Sequence, residues 1–323
     1  MNKNWIPGLT SLVMISLVIL SFTLKTEPSY LKVTKIKTII IDAGHGFKCE
    51  NGCRQGAYGT EISEDEVTYA VAKKVVEEIK KDMPDVRVLE SRPTVNFVEN
   101  KARAVFANEN KGDLFVSIHC NFAPKLREVR REGSRKETYY VYSGKGKKKK
   151  KTKKTRTVPI YRTYYHPNPA NGTETYVFAA HKTEDKEDII LENGDVFQNE
   201  TDDSTLVTDI NDPIVKQRVA LWTKQFFSSS VKLASIAEEE FVNIGRFSRG
   251  VKQRQKGIWV LQATAMPSIL IELGFLSYRP EEEFLMSPEG QQTMAEGIAR
   301  SIKRYKDLVE KTPAVQNTTN GRR

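Results

Sequence analysis

The 323-residue sequence predicts an α/β fold: a twisted, mostly parallel central sheet flanked by helices on both faces, with one long charged insertion. Three observations predict it. Short apolar runs (TIIID, LFVSI, SILIE) end in polar residues or glycine, the pattern of strands buried on both faces. Stretches with helical apolar spacing separate them, and strands alternating with helices build a sheet covered on both sides. With 39% hydrophobic residues and no internal repeat, the chain supplies the core of one large domain.

In chain order the first strand is 38–42. A helix over 64–81 follows, because Val67, Ala70, Val71, Val75, Val76 and Ile79 recur at helical spacing. Ser63 stands as its N-cap, and Glu66 three residues on completes a capping box. A strand at 86–90, a helix at 98–108 and a strand at 113–118 come next. After the insertion the pattern gives a long helix at 213–241, a strand near 257–261, a strand at 269–272 and a final helix at 288–308.

Three strand ends carry chemistry. His45 closes IIIDAGHG, His119 closes LFVSIHCN and Glu272 closes SILIELGF. In an open α/β sheet, the crevice beyond the carboxyl ends of the strands is where ligands bind. Imidazole and carboxylate are the ligands of catalytic zinc, typically three with one position left for water. Glu61, Glu64 and Glu66 compete for the third place. Glu66 is engaged in the cap and Glu61 lies in the preceding loop, so Glu64 is chosen and Glu61 held in reserve. A single strand-end histidine is more often a satisfied polar residue than a ligand. Two of only four histidines in such positions reverse that balance. Glu272 would be costly to bury without a cation beside it.

These residues resemble the zinc-dependent N-acetylmuramoyl-L-alanine amidases that cleave bacterial peptidoglycan. The similarity runs from about residue 37 to 305 and rests on DAGHG (42–46), SEDEVTYAVAKKV (63–75), SIHCN (117–121) and MPSILIELGFLS (266–277) in that order. The resemblance implies one catalytic Zn2+ held by His45, Glu64 and His119, with Glu272 as the catalytic glutamate. It implies cleavage of the amide between N-acetylmuramic acid and L-alanine. The chain departs from the family pattern where CENGC lengthens the spacing from His45 to Glu64. Arg92 and Arg103 resemble arginine positions of the family; they either orient substrate carboxylates or pair within the fold, the second being favoured. Asn121 is expected to hold the loop after His119, and Trp259 and Leu261 to line the groove or enter the core. Two other functions share these features: a zinc peptidase acting on wall stem peptides, and an inactive wall-binding scaffold. The presence of all four chemical residues weighs against the scaffold.

Residues 6–24 are almost wholly apolar and are followed by Lys25 and Glu27, which reads as an export signal or an uncleaved inner-membrane anchor. Either places the enzyme in the periplasm or cell envelope. The expected organisation is therefore 1–30 as signal or anchor, 31–310 as catalytic domain and 311–323 as a flexible tail. Cys49 and Cys53 are spaced for a small disulfide in an oxidising compartment, and Cys120 is expected as a buried thiol.

The insertion spans about 125–211. Lys145 to Arg156 holds eight lysines and one arginine, nearly the whole of the chain's formal net charge of +10. Its plain reading is a solvated, disordered loop, since like charges repel and extend; its functional reading is attachment to an anionic surface. An export signal argues against nucleic acid as the partner. From Glu184 to Asp203 nine acidic residues face one lysine. The two segments are expected either to associate, or to belong to a block in which Glu187 or Glu192 occupies the open metal position until an activator protein removes it. The alternative makes strands of 139–143 and 174–180 with a decorated loop between them.

Overall fold

The computed structural model describes residues 35–48, 53–192, 213–254 and 258–311. Every element below lies in one compact unit, Thr34–Arg323. The expected leader or anchor at 6–24, the tail beyond residue 311, and Cys49 with its disulfide lie outside the described residues. Among the described residues no helix is long and apolar enough to cross a membrane.

The strands are β1 (Thr38–Ala43), β2 (Phe47–Lys48), β3 (Cys53–Arg54), β4 (Arg87–Glu90), β5 (Leu114–Asn121), β6 (Leu126–Ser143), β7 (Lys150–His166), β8 (Thr173–Val177), β9 (Ser248–Lys252) and β10 (Ser268–Phe275). The helices are α1 (Glu64–Asp82), α2 (Asn100–Glu109), α3 (Thr183–Glu192), α4 (Pro213–Asn243), α5 (Trp259–Gln262), α6 (Arg279–Met286) and α7 (Pro288–Lys311). Six strands form the central sheet in the order β4-β1-β5-β10-β8-β9. β4, β1, β5 and β10 run parallel, β8 runs antiparallel to β10, and β9 is parallel to β8.

Burial on both faces explains the apolar runs. Every residue of β1 and β10 is buried. On one face Ile40, Phe115, Leu270 and Tyr176 form a cluster with Ala107 of α2 and Val260 and Leu261 of α5. On the other face α1 packs on β1, β4 and β5, α4 packs on β8, β9 and β10, and α7 joins α1 to α4. Helix α1 begins where the capping box places it, with the Ser63 amide and hydroxyl both donating to the Glu66 carboxylate.

Three expectations need correction. The segment near 257–261 is the short helix α5, not a strand. Its run of apolar residues fits either state, and packing of Val260 and Leu261 against α2 and the sheet decides for the helix. The basic stretch is not a disordered loop. It forms the turn and first half of β7 in a long antiparallel ribbon with β6, paired from Leu126↔His166 to Ser143↔Lys150 with one irregularity beside Gly133. Pro159 is tolerated within β7 because the ribbon has only edge strands. The ribbon's strands pack almost wholly on each other. The insertion is also shorter than expected, since β8 is an integral strand of the sheet beside β10.

Candidate metal centre and its cleft

The site begins with the chain leaving β1. Gly44 donates its amide to Ile118 at the end of β5, 2.9 Å away, and a Cβ at Gly44 would lie 2.5 Å from the His119 ring. Only glycine allows the two strand ends so close. His45 then adopts a left-handed backbone, φ 62°, which turns its imidazole back across the sheet end.

Two buried arginines hold this turn. Arg92 donates to the carbonyls of Ala43, Gly44 and Asp65, and Arg103 to those of Ala43 and His45. Arg103 also pairs with Asp42 at 2.9 Å, and the hydroxyls of Ser91 and Ser117 donate to the same carboxylate. Burial alone would raise the Asp42 pKa; Arg103 and the two hydroxyls override it and hold the group below its usual range. Both arginines are 1% exposed, and most of their hydrogen bonds go to backbone carbonyls. Their place is therefore in the scaffold of the loop.

Glu64, at the first position of α1, is buried under the two histidines. Its Oε1 lies 3.1 Å from His45 Nε2 and 3.0 Å from His119 Nδ1, and accepts from the Cys120 amide at 2.9 Å. Its Oε2 accepts from the Ala57 amide at 2.7 Å. Burial would raise this carboxyl, but hydrogen bonds from His119 and His45 pull it far below the ordinary carboxylate range. The rings of His45 and His119 meet edge to face, centroids 4.8 Å apart. One ligand atom from each of His45, Glu64 and His119 falls within 4.8 Å of the others. Two imidazoles and a carboxylate so converged are able to hold a metal ion, and the donor set suits zinc. The competing glutamates are elsewhere: Glu61 pairs with Arg279 and Glu66 closes the cap.

Glu272 stands beside His119 in the β5–β10 ladder. It is 4% exposed, and its Oε2 has no hydrogen-bond partner. Burial, reinforced by the charge of Glu64, pushes its pKa up to about 8, against the opposing pull of Arg254. Arg254 Nη2 lies 3.3 Å from Glu272 Oε1. On the next strand Glu174, in register with Glu272, is neutralised by Arg249 and Lys252 and held by Asn121 and Tyr176. Asn121 thus ties β5 to β8 instead of holding the loop after His119.

All of this opens into a cleft of about 710 Å³ whose walls include Lys101, Phe122, Arg254 and Trp259. Trp259 is 48% exposed and lines it; Leu261 is fully buried in the core. Glu187 does not line the cleft. Its helix α3 is pinned elsewhere by Lys186, whose ammonium donates to the carbonyls of Leu261, Thr264 and Met266. Residues 193–203 of the acidic stretch are outside the described residues. Arg254 and Lys186 belong to no motif. For Lys186 a signal existed, the three- and four-residue spacing to Ile189 and Ile190, which puts it on the apolar side of its helix.

The N-acetylmuramoyl-L-alanine amidase (Amidase_3) family profile matches residues 39–304. The uncharacterized protein YqiI of Bacillus subtilis is 25% identical over 272 residues, covering 84% of this chain and 85% of that protein. The N-acetylmuramoyl-L-alanine amidase AmiC of Escherichia coli O6:H1 is 25% identical over 270 residues, covering 83% of this chain and 52% of AmiC. Among solved structures, an N-acetylmuramoyl-L-alanine amidase from Clostridium difficile 630 superposes with a TM-score of 0.51 at 22% identity, over 84% of this chain and 98% of that one, and so shares the fold. With the profile spanning β1 to α7, the chain belongs to the N-acetylmuramoyl-L-alanine amidase family, amide hydrolases of peptidoglycan.

Proposed function

We infer that this amidase works with one zinc ion bound by His45, Glu64 and His119, and with Glu272 as the group that moves the proton. The observation that carries the reading is Glu272 itself: a buried carboxylate with one unpartnered oxygen, on the same wall of the cleft as the histidine pair. Bound there, zinc would act as a Lewis acid that polarises the scissile carbonyl and acidifies a water molecule. Glu272 takes a proton from the attacking water as its oxygen bonds to the lactyl carbonyl carbon. It returns that proton to the nitrogen of L-alanine as the carbon–nitrogen bond breaks, general base becoming general acid. Glu64 is itself held in place as the third ligand by the amides of Ala57 and Cys120. Arg254 holds the Glu272 carboxylate from the rim. Export through the apolar segment 6–24 would bring the enzyme to its substrate.

The test is product analysis by mass spectrometry after digestion of purified peptidoglycan, with and without added zinc, beside Glu272→Ala. Free stem peptides with a new amino terminus on L-alanine, formed only with metal and about 10²–10⁴-fold more slowly by the variant, are expected. Cleavage between amino acids would instead make the enzyme a peptidase. Full activity of the variant would remove Glu272 from the chemistry.

A further inference from the structure

We propose that the β6–β7 ribbon is a stalk whose lysine-rich tip docks end-on against an anionic lipid bilayer. Each strand has 17 or 18 residues, which at about 3.3 Å per residue gives a reach of about 55 Å. Nearly all of its residues are exposed. A two-stranded ribbon with no apolar face to bury is marginal in water, so its sequence answers to something other than packing.

That sequence is graded in charge. Residues 126–166 hold fifteen Lys and Arg against three glutamates, and all three glutamates lie on the base side of Thr138. Each is engaged there: Glu128 with Arg130 and His166, Glu132 with Tyr164 and Arg162, Glu137 with Arg156. From Thr138 to Thr155 there are eight lysines and no acid. Tyr139, Tyr140, Val141 and Tyr142 lie exposed just behind the turn. Lys151 stands 4.1 Å over the Tyr140 ring and 5.9 Å from that of Tyr142. Lysines at the end and amphipathic rings a few ångströms behind match the order of phosphate and interfacial layers of a membrane.

The arrangement selects a plane over a linear polymer. Directly opposite residues in the ladder share a face, so the pairs Tyr140↔Lys153 and Tyr142↔Lys151 lie on one side, Tyr139↔Lys154 and Ser143↔Lys150 on the other. Cations on both sides reach one flat surface together only if the ribbon meets it tip first. A polymer laid along the ribbon would be served by charge spread evenly over its length, whereas here eight lysines with no acid crowd residues 138–155 and the rest of the ribbon sets three glutamates against its seven cations.

The proposal stands apart from the amidase reading and is tested by a different readout. The unit from Thr34 onward is sedimented with vesicles of phosphatidylcholine alone and of phosphatidylcholine mixed equally with phosphatidylglycerol. Soluble polyglycerol phosphate and single-stranded DNA serve as competitors. Binding is expected to the mixed vesicles only, and to weaken as salt rises. With Lys145, Lys147, Lys148, Lys149, Lys150 and Lys151 all changed to Gln, binding should fall at least about 100-fold, while a set changed to Arg retains it. An unchanged melting temperature of the Gln variant shows that the domain is intact. Equal binding by wild type and Gln variant would overturn the proposal. So would loss of the Arg variant's binding, or soluble polymer or DNA displacing the vesicles at equal phosphate.

Discussion

The strand ends that build the cleft and the ribbon that leaves them are adjacent in sequence and opposite in construction. Between Asn121 and Leu126 the chain passes from β5, where all but His119 and Asn121 are buried, to β6, where nearly everything is exposed. At the cleft a side chain's conformation is fixed by its neighbours: Gly44 makes room for the His119 ring, and Asp42 holds Arg103 against the turn. In the ribbon the backbone ladder fixes the shape and the side chains are free to carry charge. Burial therefore specifies the first region atom by atom, whereas the second is specified only by alternation and net charge.

The comparison is broken most severely at Arg103. Arg103→Ala leaves Asp42 charged and buried, and should cost about 3–5 kcal/mol in urea unfolding, together with loss of metal retained on dialysis. Gly44→Ala should cost less, about 1–3 kcal/mol, because the added Cβ must displace the His119 ring; the metal content measured on the purified variant should fall with it. Lys186 gives a pH signature. Burial draws its pKa down to about 7, against about 10.4 in the unfolded chain. Between these values the unfolded chain binds more protons, so the stability of the wild type relative to Lys186→Met should rise as pH increases from 7 to 10. The slope is at most about 1.4 kcal/mol per pH unit, reduced by the three carbonyls that favour the charged ammonium. The smallest effect belongs to the ribbon. Replacing 138–155 by an Asn-Gly turn joins the register partners Glu137 and Arg156. It should change domain stability by less than about 0.5 kcal/mol and leave cleavage of soluble muropeptides unaltered.

The same division governs what the sequence discloses. β1, β5 and β10 are legible because burial on both faces demands continuous apolar runs, and His45, His119 and Glu272 stand out where those runs stop. Glu64 is separable from Glu61 and Glu66 because the cap assigns Glu66 a partner and starts the helix at Glu64. β9 is not legible: SRGVK has Gly250 at its centre and is only half-buried. α5 is ambiguous because the four-residue apolar run 258–261 carries no period. The ribbon misleads for a physical reason. Its lysine run signals repulsion, yet Thr152, Thr155, Thr157 and the tyrosines opposite supply strand propensity and cross-strand contacts that the lysine stems accept. Arg254 comes to the cleft only through the return of the chain after β9, which no local pattern encodes.

The junction between the two regions has a mechanical meaning. Immediately beyond β5, the Leu276 amide donates to the Asn121 carbonyl and the Ala123 amide to the Ser277 hydroxyl, both at 2.9 Å. These bonds cross from the root of the ribbon to the loop after β10. Any pull or twist along a lever of some 55 Å would load these two bonds in shear against the neighbouring strand before the chain reaches His119.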